Sequence, residues 1–308
     1  MKRFSKITTT QLARICGVSQ GTVDRALHDR PGVSAETRAK ILTVAREYDY
    51  LPNIKGEKGN SMLIGVVLYD LYNEYFSKLA MSFVRESRRA GFSPIFQFSG
   101  KDLREERRAL EYFDYVGVDG IVLFSAGSDS VEYENYLRQI HRPLVLIGNR
   151  MFNLPYVGID DRRAMTDVTL RLAEKAGGEV VYYAPSLRKH LHRDNAQILR
   201  LEGFRDAIDR LGKTGRTVTD PKDLGGSDTV VCSTDTYAVA ALKQLHFPKN
   251  LKISGFDNIS LLNCVTVPVL TVDYSTDRIA RECVNYIIGT PYDPNVPYEL
   301  VLSDPSQT

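Results

Sequence analysis

Several features that would point to a particular class of protein are missing from this sequence. No apolar run approaches the roughly 20 residues of a membrane-spanning helix, and the polar N-terminus lacks the apolar stretch of a secretion signal. We therefore expect a cytoplasmic protein that does not enter a membrane. Its four cysteines have no paired spacing, which indicates reduced thiols and neither a disulfide framework nor a zinc site.

The motifs of common enzyme classes are also missing. There is neither a Gly-x-Gly-x-x-Gly loop nor a Walker loop, so nothing supports dinucleotide or ATP chemistry. The stretch around Ser125 resembles a hydrolase elbow only loosely, because the glycine two residues before the serine is absent. His190 and His192 have a spacing that metal ligands sometimes have, but no third ligand is near, and a solvated loop explains them better. We expect no enzyme activity, no cofactor and no metal.

What is present is a chain of 308 residues, long enough for two or three hydrophobic cores. Its net charge of +2 is unevenly distributed. Residues 1–58 carry 11 Lys and Arg against 6 Asp and Glu, whereas the remaining residues carry 29 against 32. A basic head thus precedes a faintly acidic body, and the head is where nucleic acid would bind.

Residues 8–53 have the pattern of three short helices. Thr8 and Gln11 fit a capping box at the start of the first helix, and Gly17 ends it. We predict an inward apolar face for this helix, formed by Leu12, Ala13, Ile15 and Cys16. Ser19 caps the second helix, and Ser34 caps the third.

The second helix has the composition of a recognition helix. Val23, Ala26 and Leu27 point inward at helical spacing, which leaves the polar side chains free for a DNA groove. The core of the head is predicted to be closed from the third helix by Ile41, Leu42, Ala45 and Tyr48. The segment therefore has the shape of a helix-turn-helix.

The head resembles the lactose-repressor (LacI) family of bacterial transcription regulators. The similarity is carried by Gly17-Val18-Ser19, Thr22-Val23, Arg25, Leu27, Val33-Ser34, Glu36-Thr37-Arg38, Tyr50 and Pro52-Asn53. It implies DNA binding by residues of the head and of the segment that follows it. The residues we predict to contact DNA are Thr8, Ser19, Gln20, Gly21, Thr22, Arg25, His28, Asn53 and Ile54.

Two positions depart from the family pattern. Asp24 replaces a small hydroxyl residue, and an acid there is repelled by phosphate unless it accepts from cytosine or holds Arg25 in place. The hinge, predicted over 54–61, contains two glycines where relatives have a helix with a leucine wedge. Ile54 is its only candidate wedge, so DNA bending by insertion is less favoured.

From residue 62 onward, apolar strands alternate with helices, which predicts parallel sheets covered on both faces. The fold class is therefore an all-α head over 1–53 followed by an α/β body over 62–308. The resemblance implies that this body consists of two Rossmann-like lobes, as in periplasmic sugar-binding proteins. We place lobe one at about 62–160 with 272–290, and lobe two at about 161–271 with 291–308.

In such sheets a ligand binds beyond the carboxyl ends of the strands, so polar residues there are candidate contacts. Carboxylates, amides, guanidinium groups and aromatic faces together suit a sugar or another polyol. The predicted effector contacts are Asp70, Asn73, Tyr75, Phe76, Ser125, Asn149, Arg150, Asp160, Arg200, Thr234, Asp235 and Asp257.

The resemblance singles out three of these positions. Arg200 occupies the place of the family's effector-clamping arginine, Asp257 matches its ligand-binding aspartate, and Thr234-Asp235 stands where relatives carry Asn-Asp or similar. Structural alternatives remain for each. Asp235 can cap its helix, Asp160 can be structural, and Arg200 can pair on the surface with Glu202 or Asp194.

The sequence leads to a transcription regulator, mainly a repressor, that binds an operator as a homodimer and responds to a small molecule, expected to be a carbohydrate. Two alternatives stay open. The effector can be a nucleoside or purine stacked on Tyr75 and Phe76, or the chain can be a two-lobed solute-binding protein with a vestigial head.

Overall fold

The computed structural model describes residues 8–27, 30–47, 61–127, 131–151, 154–187 and 195–303. We treat the head, 8–47, and the body, 61–303, separately. The predicted hinge lies outside the described residues except for Ser61, and so does Tyr48. Within the described ranges, no helix is long and apolar enough to cross a membrane.

The head consists of three helices, α1 (Thr9–Cys16), α2 (Gln20–Leu27) and α3 (Ala35–Glu47). The predicted capping box is present at Thr8, and Gly17 ends α1 in a left-handed conformation with φ 68°. Leu12, Val23 and Ile41 are fully buried and form the centre of a small core. The prediction for Ile15 was wrong: its side chain is 44% exposed. The buried face of α1 is formed by Leu12, Ala13 and Cys16, and at helical spacing Ile15 lies outside this face.

Lobe one is built on a five-stranded parallel sheet with the order β2-β1-β3-β4-β5. Its strands are β1 (Leu63–Leu68), β2 (Ser93–Phe98), β3 (Gly120–Leu123), β4 (Leu144–Ile147) and β5 (Tyr156–Val157). The helices α4 (Glu74–Arg89), α5 (Leu103–Val116) and α6 (Val131–Arg138) connect them. Strands β1, β3 and β4 are buried almost throughout, which agrees with their continuous apolar runs.

Lobe two is built on a six-stranded sheet with the order β11-β10-β9-β8-β6-β7. Its strands are β6 (Val180–Tyr183), β7 (Gly215–Val218), β8 (Thr229–Cys232), β9 (Lys252–Ser254), β10 (Val269–Tyr274) and β11 (Tyr298–Ser303). Strands β10 and β11 pair antiparallel and the other neighbours pair parallel. Strand β7 was not predicted from the sequence, because Gly215-Arg216-Thr217-Val218 contains no apolar run and lies at a sheet edge.

The described part of the body contains four further α-helices: α7 (Asp161–Ala173), α8 (Asn195–Leu211), α9 (Asp235–Gln244) and α10 (Thr276–Ile287). The chain returns to lobe one in α10, which packs against α4 and β4. Ile287 fits so closely that a Cβ on Gly120 would lie 2.4 Å from its Cγ2. Strand β10 belongs to the second sheet through Tyr274, two residues beyond the start of the predicted 272–290 segment of lobe one.

Candidate functional site

The outer surface of α2 presents the predicted recognition residues. Gln20, Gly21 and Arg25 are exposed, whereas Thr22 is half-buried. Ser19 performs the predicted cap, since its Oγ accepts the Thr22 backbone N–H at 3.1 Å and lies 2.8 Å from the Thr22 Oγ1. The Thr8 hydroxyl is likewise used within its own turn, where it accepts from the Gln11 backbone N–H at 3.2 Å. The exposed side of α2 therefore offers mainly Gln20 and Arg25 to a groove.

Arg25 lies along the surface of its helix. Ideal Cβ atoms built on Gly21 and Gly32 would be 3.6 Å from its Nη2 and 3.4 Å from its Nη1. Asp24 forms an ion pair with Arg30 at 3.3 Å, so its charge is offset by a residue beyond α2. Arg38 donates to the Arg30 carbonyl oxygen at 2.7 Å and fixes that turn to α3. The predicted contacts His28, Asn53 and Ile54 lie outside the described residues.

A cavity of about 150 Å³ lies between the two lobes, beyond the carboxyl ends of their strands. Its wall is rich in aromatic rings, which come from both lobes. They are Tyr69, Tyr75, Phe76, Phe124, Tyr156, Tyr237 and Tyr274. Its charged groups are Lys101, Asp161, Arg200 and Asp257. Such a wall combines stacking surfaces with groups that bind hydroxyls in pairs.

Arg200 is the centre of this site and is almost fully buried. Its Nε donates to Asp161 Oδ1 at 2.7 Å, and its Nη1 donates to the Ser233 carbonyl oxygen at 2.8 Å. Its Nη2 lies 3.6 Å from Asp257 Oδ1, and the guanidinium is stacked 3.5 Å from the centre of the Phe256 ring. The predicted alternative of a surface pair is wrong for Glu202, which pairs with Arg162. Asp194 lies outside the described residues.

Packing between α7 and α8 brings Arg200 to Asp161. A Cβ on Gly203 would lie 2.2 Å from the Arg162 carbonyl oxygen, so only glycine allows the two helices to approach this closely. Thr166 supports the contact, because its hydroxyl is within hydrogen-bonding distance of the Gly203 carbonyl oxygen, at 3.1 Å. Arg200, one turn before Gly203, consequently meets the N-terminus of α7, where Asp161 is the first residue.

Asp257 reaches the cavity from a strained turn after β9. Its φ of 101° is uncommon for a residue with a side chain, and Asn258 follows with φ 45°. Tyr274 donates its hydroxyl to Asp257 Oδ1 at 2.8 Å. Burial raises the pKa of Asp257 to about 6, although the positive charge of Arg200 and the hydrogen bond from Tyr274 act in the opposite direction. The hydrogen bond from Tyr274 therefore fixes the carboxyl group of Asp257 beside the guanidinium of Arg200.

Six of the predicted effector contacts lie in the cavity wall. They are Asn73, Tyr75, Phe76, Arg200, Thr234 and Asp257. Asn73 and Thr234 also serve as N-caps, because their side chains accept the backbone N–H groups of Tyr75 at 3.0 Å and Tyr237 at 3.3 Å. The helices α4 and α9 thus begin at the cavity.

The other six predicted contacts are not in the wall, and each is used elsewhere. Asp70 accepts the Tyr72 backbone N–H at 2.9 Å, Asp160 accepts that of Arg163 at 3.0 Å, and Arg150 stacks on Tyr156 at 5.1 Å. The remaining three, Ser125, Asn149 and Asp235, are fully buried beneath the surface.

These buried polar groups support the cavity from behind. Ser125 donates to Glu106 at 2.7 Å. Asn149 donates to the Tyr69 hydroxyl at 2.7 Å and accepts the Ala196 backbone N–H at 3.1 Å, which joins lobe one to the start of α8. Asn149 is therefore a connection between the lobes and does not face the cavity.

Asp235 supports the turn that carries Asp257. Its two oxygens accept the Thr271 hydroxyl at 2.7 Å and the Ile259 backbone N–H at 3.0 Å. A Cβ on Gly255 would lie 2.0 Å from Asp235 Oδ1, which explains the glycine before Phe256-Asp257. The alternative that Asp235 caps its helix is wrong, because Thr234 is the N-cap.

Several wall residues were not among the predicted contacts. Tyr69 directly follows β1, Tyr274 is the last residue of β10, and Lys101 lies three residues after β2. All three therefore fit the expectation that a ligand binds beyond the carboxyl ends of the strands. Of the pair Asp160-Asp161, Asp160 was predicted as the effector contact, whereas Asp161 is the one in the wall. The choice between a cap and the first helical residue cannot be made from an Asp-Asp pair alone.

The head and the chain as a whole are both similar to known proteins. The family model described as bacterial regulatory proteins, lacI family, matches residues 9–53. The ribose operon repressor of Bacillus subtilis (strain 168) is 24% identical over 309 residues, covering 92% of this chain and 91% of that protein.

Two solved structures have the same fold as the chain. One is a complex of the transcriptional regulator CelR with cellobiose, with a TM-score of 0.64, 21% identity, and coverage of 96% of this chain and 98% of that one. The other is the lac repressor dimer bound to operator and the anti-inducer ONPF, with a TM-score of 0.66, 16% identity, and coverage of 98% and 99%. The head, residues 9–53, is therefore a DNA-binding domain of the lacI type, and the chain is a DNA-binding transcription regulator whose two-lobed body has the fold of these regulators.

Proposed function

We propose that the protein is a cytoplasmic repressor that binds its operator as a homodimer and is controlled by a sugar or sugar derivative in the cavity between the lobes. The observation that carries this proposal is the buried arrangement of Arg200 and Asp257 in a wall of aromatic rings. A guanidinium and a carboxylate side by side bind the paired hydroxyls of a polyol, and the rings stack on its CH face.

Arg200 retains hydrogen-bonding capacity for such a ligand. Among the hydrogen bonds of the described residues it uses Nε and Nη1, and the 3.6 Å separation of Nη2 from Asp257 is longer than a hydrogen bond. A hydroxyl of the ligand placed between Nη2 and Asp257 would accept from one and donate to the other. The ribose operon repressor and the cellobiose complex among the similar proteins favour the same class of effector.

Control of DNA binding requires that the effector bind two arrangements of the lobes with different affinities. Because the cavity wall draws on both lobes, a ligand that contacts both favours the arrangement in which they are close. Operator and effector then change each other's affinity by the same factor.

The test is isothermal calorimetry of the full chain with a panel of sugars and nucleosides, repeated with Asp257→Asn. We expect a sugar or sugar derivative to bind and the variant to lose affinity by roughly tenfold or more. Asp257→Asn is preferred to Arg200→Ala, because removal of Arg200 leaves Asp161 and Asp257 buried without a counter-charge at a cost of about 3–5 kcal/mol. Asp209→Asn, on the exposed side of α8, is the matched control and should bind normally.

Three outcomes would be informative. Binding of a sugar with loss in Asp257→Asn supports the proposal. Binding of a nucleoside in place of any sugar would assign the effector to that class, with the aromatic wall stacking on a base. Absence of binding by either class would contradict the proposal that this cavity senses a sugar.

A further inference from the structure

The charged groups of the cavity wall differ in how their charges are compensated. Arg200 lies between the carboxylates of Asp161 and Asp257, so its charge is matched before any ligand arrives. Lys101, in the same wall, forms no ion pair among the described residues. Among the described residues of the wall, Lys101 of lobe one is therefore the cation that has no anionic partner.

The acids closest to Lys101 in sequence and in the adjoining loop are already used. Asp102 accepts three hydrogen bonds from Arg104: from its backbone N–H at 2.8 Å, its Nε at 3.2 Å and its Nη2 at 2.8 Å. Asp70 Oδ1 accepts the backbone N–H groups of Tyr72 and Asn73, at 2.9 and 3.3 Å. Neither carboxylate forms an ion pair with Lys101.

The ammonium group of Lys101 is instead positioned over an aromatic ring. Its Nζ lies 5.0 Å from the centre of the Tyr69 ring, within the range of a cation–π contact. Tyr69 is itself fixed, because its hydroxyl donates to the Ser125 carbonyl oxygen at 2.5 Å and accepts from Asn149 at 2.7 Å. The two hydrogen bonds fix the Tyr69 ring, and this ring positions the ammonium group of Lys101 at the cavity wall.

The backbone at Lys101 is unusual for a lysine. Lys101 and Gly100 occupy the centre of a tight turn, closed by a hydrogen bond from the Asp102 N–H to the Ser99 carbonyl oxygen at 2.9 Å. Both have positive φ, 56° for Gly100 and 64° for Lys101. Glycine or asparagine would adopt this conformation at lower cost, so the local backbone does not account for a lysine here.

We propose that the effector carries an anionic group, a phosphate or a carboxylate, and that Lys101 binds it while Arg200 and Asp257 bind the hydroxyls. This inference rests on the proposed function of the cavity as a sugar site. A lysine is suited to the task, because its ammonium is a compact charge on a long stem that can follow an anion. The two lobes then recognise different parts of one ligand: lobe one binds the anionic group and lobe two binds the hydroxyls.

The experiment compares matched neutral and anionic sugars on the full chain by isothermal calorimetry. The probes are ribose with ribose 5-phosphate, fructose with fructose 1-phosphate, and glucose with glucose 6-phosphate and glucuronate. Each is titrated into the natural protein and into Lys101→Met, which keeps most of the stem and removes the charge, and Lys101→Arg, which keeps the charge. Lys243→Met, on an exposed position of α9 outside the cavity wall, removes the same charge elsewhere.

We expect one anionic sugar to bind more tightly than its neutral counterpart and to lose affinity roughly 10- to 100-fold in Lys101→Met, with partial retention in Lys101→Arg. Phosphate and carboxylate are separated by the glucose 6-phosphate and glucuronate arms. A sugar that binds equally well in its neutral form, or that is unaffected by Lys101→Met, would overturn this inference and leave the proposed function intact. If no sugar or sugar derivative bound any of the proteins, the proposed function and this inference would both fail.

Discussion

Asp235 is a carboxylic acid without any solvent exposure, and its protonation affects the stability of lobe two. Burial, reinforced by the charge of Asp257, raises the pKa of Asp235 to about 7, despite the hydrogen bonds from Thr271 and Ile259. Because Asp235 supports the turn that carries Asp257, a change in its charge alters the electrostatic environment of Asp257 beside the ligand site.

We predict that Asp235→Asn makes the protein relatively more stable as the pH rises. The folded-state pKa lies above the unfolded value of about 3.9, so the contribution of Asp235 to the free energy of unfolding falls from about pH 4 to about pH 7. Asparagine cannot ionise, and its amide can donate to the Thr271 hydroxyl while its oxygen accepts from Ile259. Between pH 5 and pH 8 the variant should gain roughly 2–3 kcal/mol relative to the natural protein.

Urea denaturation at the two pH values measures this difference. Asp209→Asn, exposed on α8, is the control and should show no such gain. An equal stability difference between Asp235→Asn and the natural protein at both pH values would show that Asp235 is ionised throughout.

Among the described residues of the head, Arg25 is an exposed cation on the outer side of α2 and can reach a base. It is exposed, and its guanidinium contributes nothing to the buried core formed by Leu12, Val23 and Ile41. We predict that Arg25→Ala weakens specific operator binding by about 1–3 kcal/mol and leaves the thermal stability of the head unchanged.

The measurement is fluorescence anisotropy with an operator selected from a random duplex library and with a scrambled duplex of equal length. Arg14→Ala removes the same charge from an exposed position of α1 and serves as the control. If the two variants weakened both duplexes to the same extent, Arg25 would be a phosphate contact only.

At the scale of elements, α4 closes one side of the cleft between the lobes. Glu74, the first residue of α4, accepts the Ser260 backbone N–H at 2.7 Å and the Ser260 hydroxyl at 2.9 Å. One turn later, Lys78 donates to the Asn258 carbonyl oxygen at 2.7 Å. These contacts hold the segment that includes Asp257, so the position of α4 and the geometry of the ligand site depend on each other.

We predict that Glu74→Ala loosens this side of the cleft. Loss of both acceptors makes the close arrangement of the lobes less populated, which should weaken effector binding several-fold, since apparent affinity falls with the competent fraction. Hydrogen-exchange mass spectrometry should show faster exchange over residues 257–262. Glu111→Ala, exposed on α5, should change neither quantity. Unchanged exchange in Glu74→Ala would mean that other contacts suffice to hold the lobes.

For the whole molecule, the separation of charge between head and body governs the interaction with DNA. The first 58 residues carry 11 basic and 6 acidic side chains, whereas the rest of the chain has a small acidic excess. Attraction to phosphate is therefore concentrated at the head.

We predict that operator affinity falls at least tenfold between 50 and 200 mM salt, because binding releases counterions from the duplex. Sedimentation equilibrium should find a dimer at the protein concentrations that saturate a palindromic operator. A monomer that saturates the same operator, or binding that does not respond to salt, would contradict this description.

The sequence determined the elements of this protein with fair accuracy, because helix caps and apolar periodicity are local. Thr8, Ser19 and Ser34 begin their helices as predicted, and the predicted alternation of apolar strands with helices from residue 62 onward is observed, for example in the strands Leu144–Ile147, Val180–Tyr183 and Thr229–Cys232. The edge strand Gly215–Val218 could not be found in this way, since its pairing with β6 gives no apolar signal.

The ligand site was decided only by the tertiary structure. Strand ends indicated the right edge of each sheet, but they could not show that Asp161 faces the cavity while Asp160 caps α7, or that Asn149 and Asp235 are buried behind it. These distinctions depend on the packing of residues far apart in the chain, such as Gly203 against Arg162 and Gly255 against Asp235. Local sequence fixes which groups lie near the cleft, whereas the close approach of distant backbones decides which of them a ligand can reach.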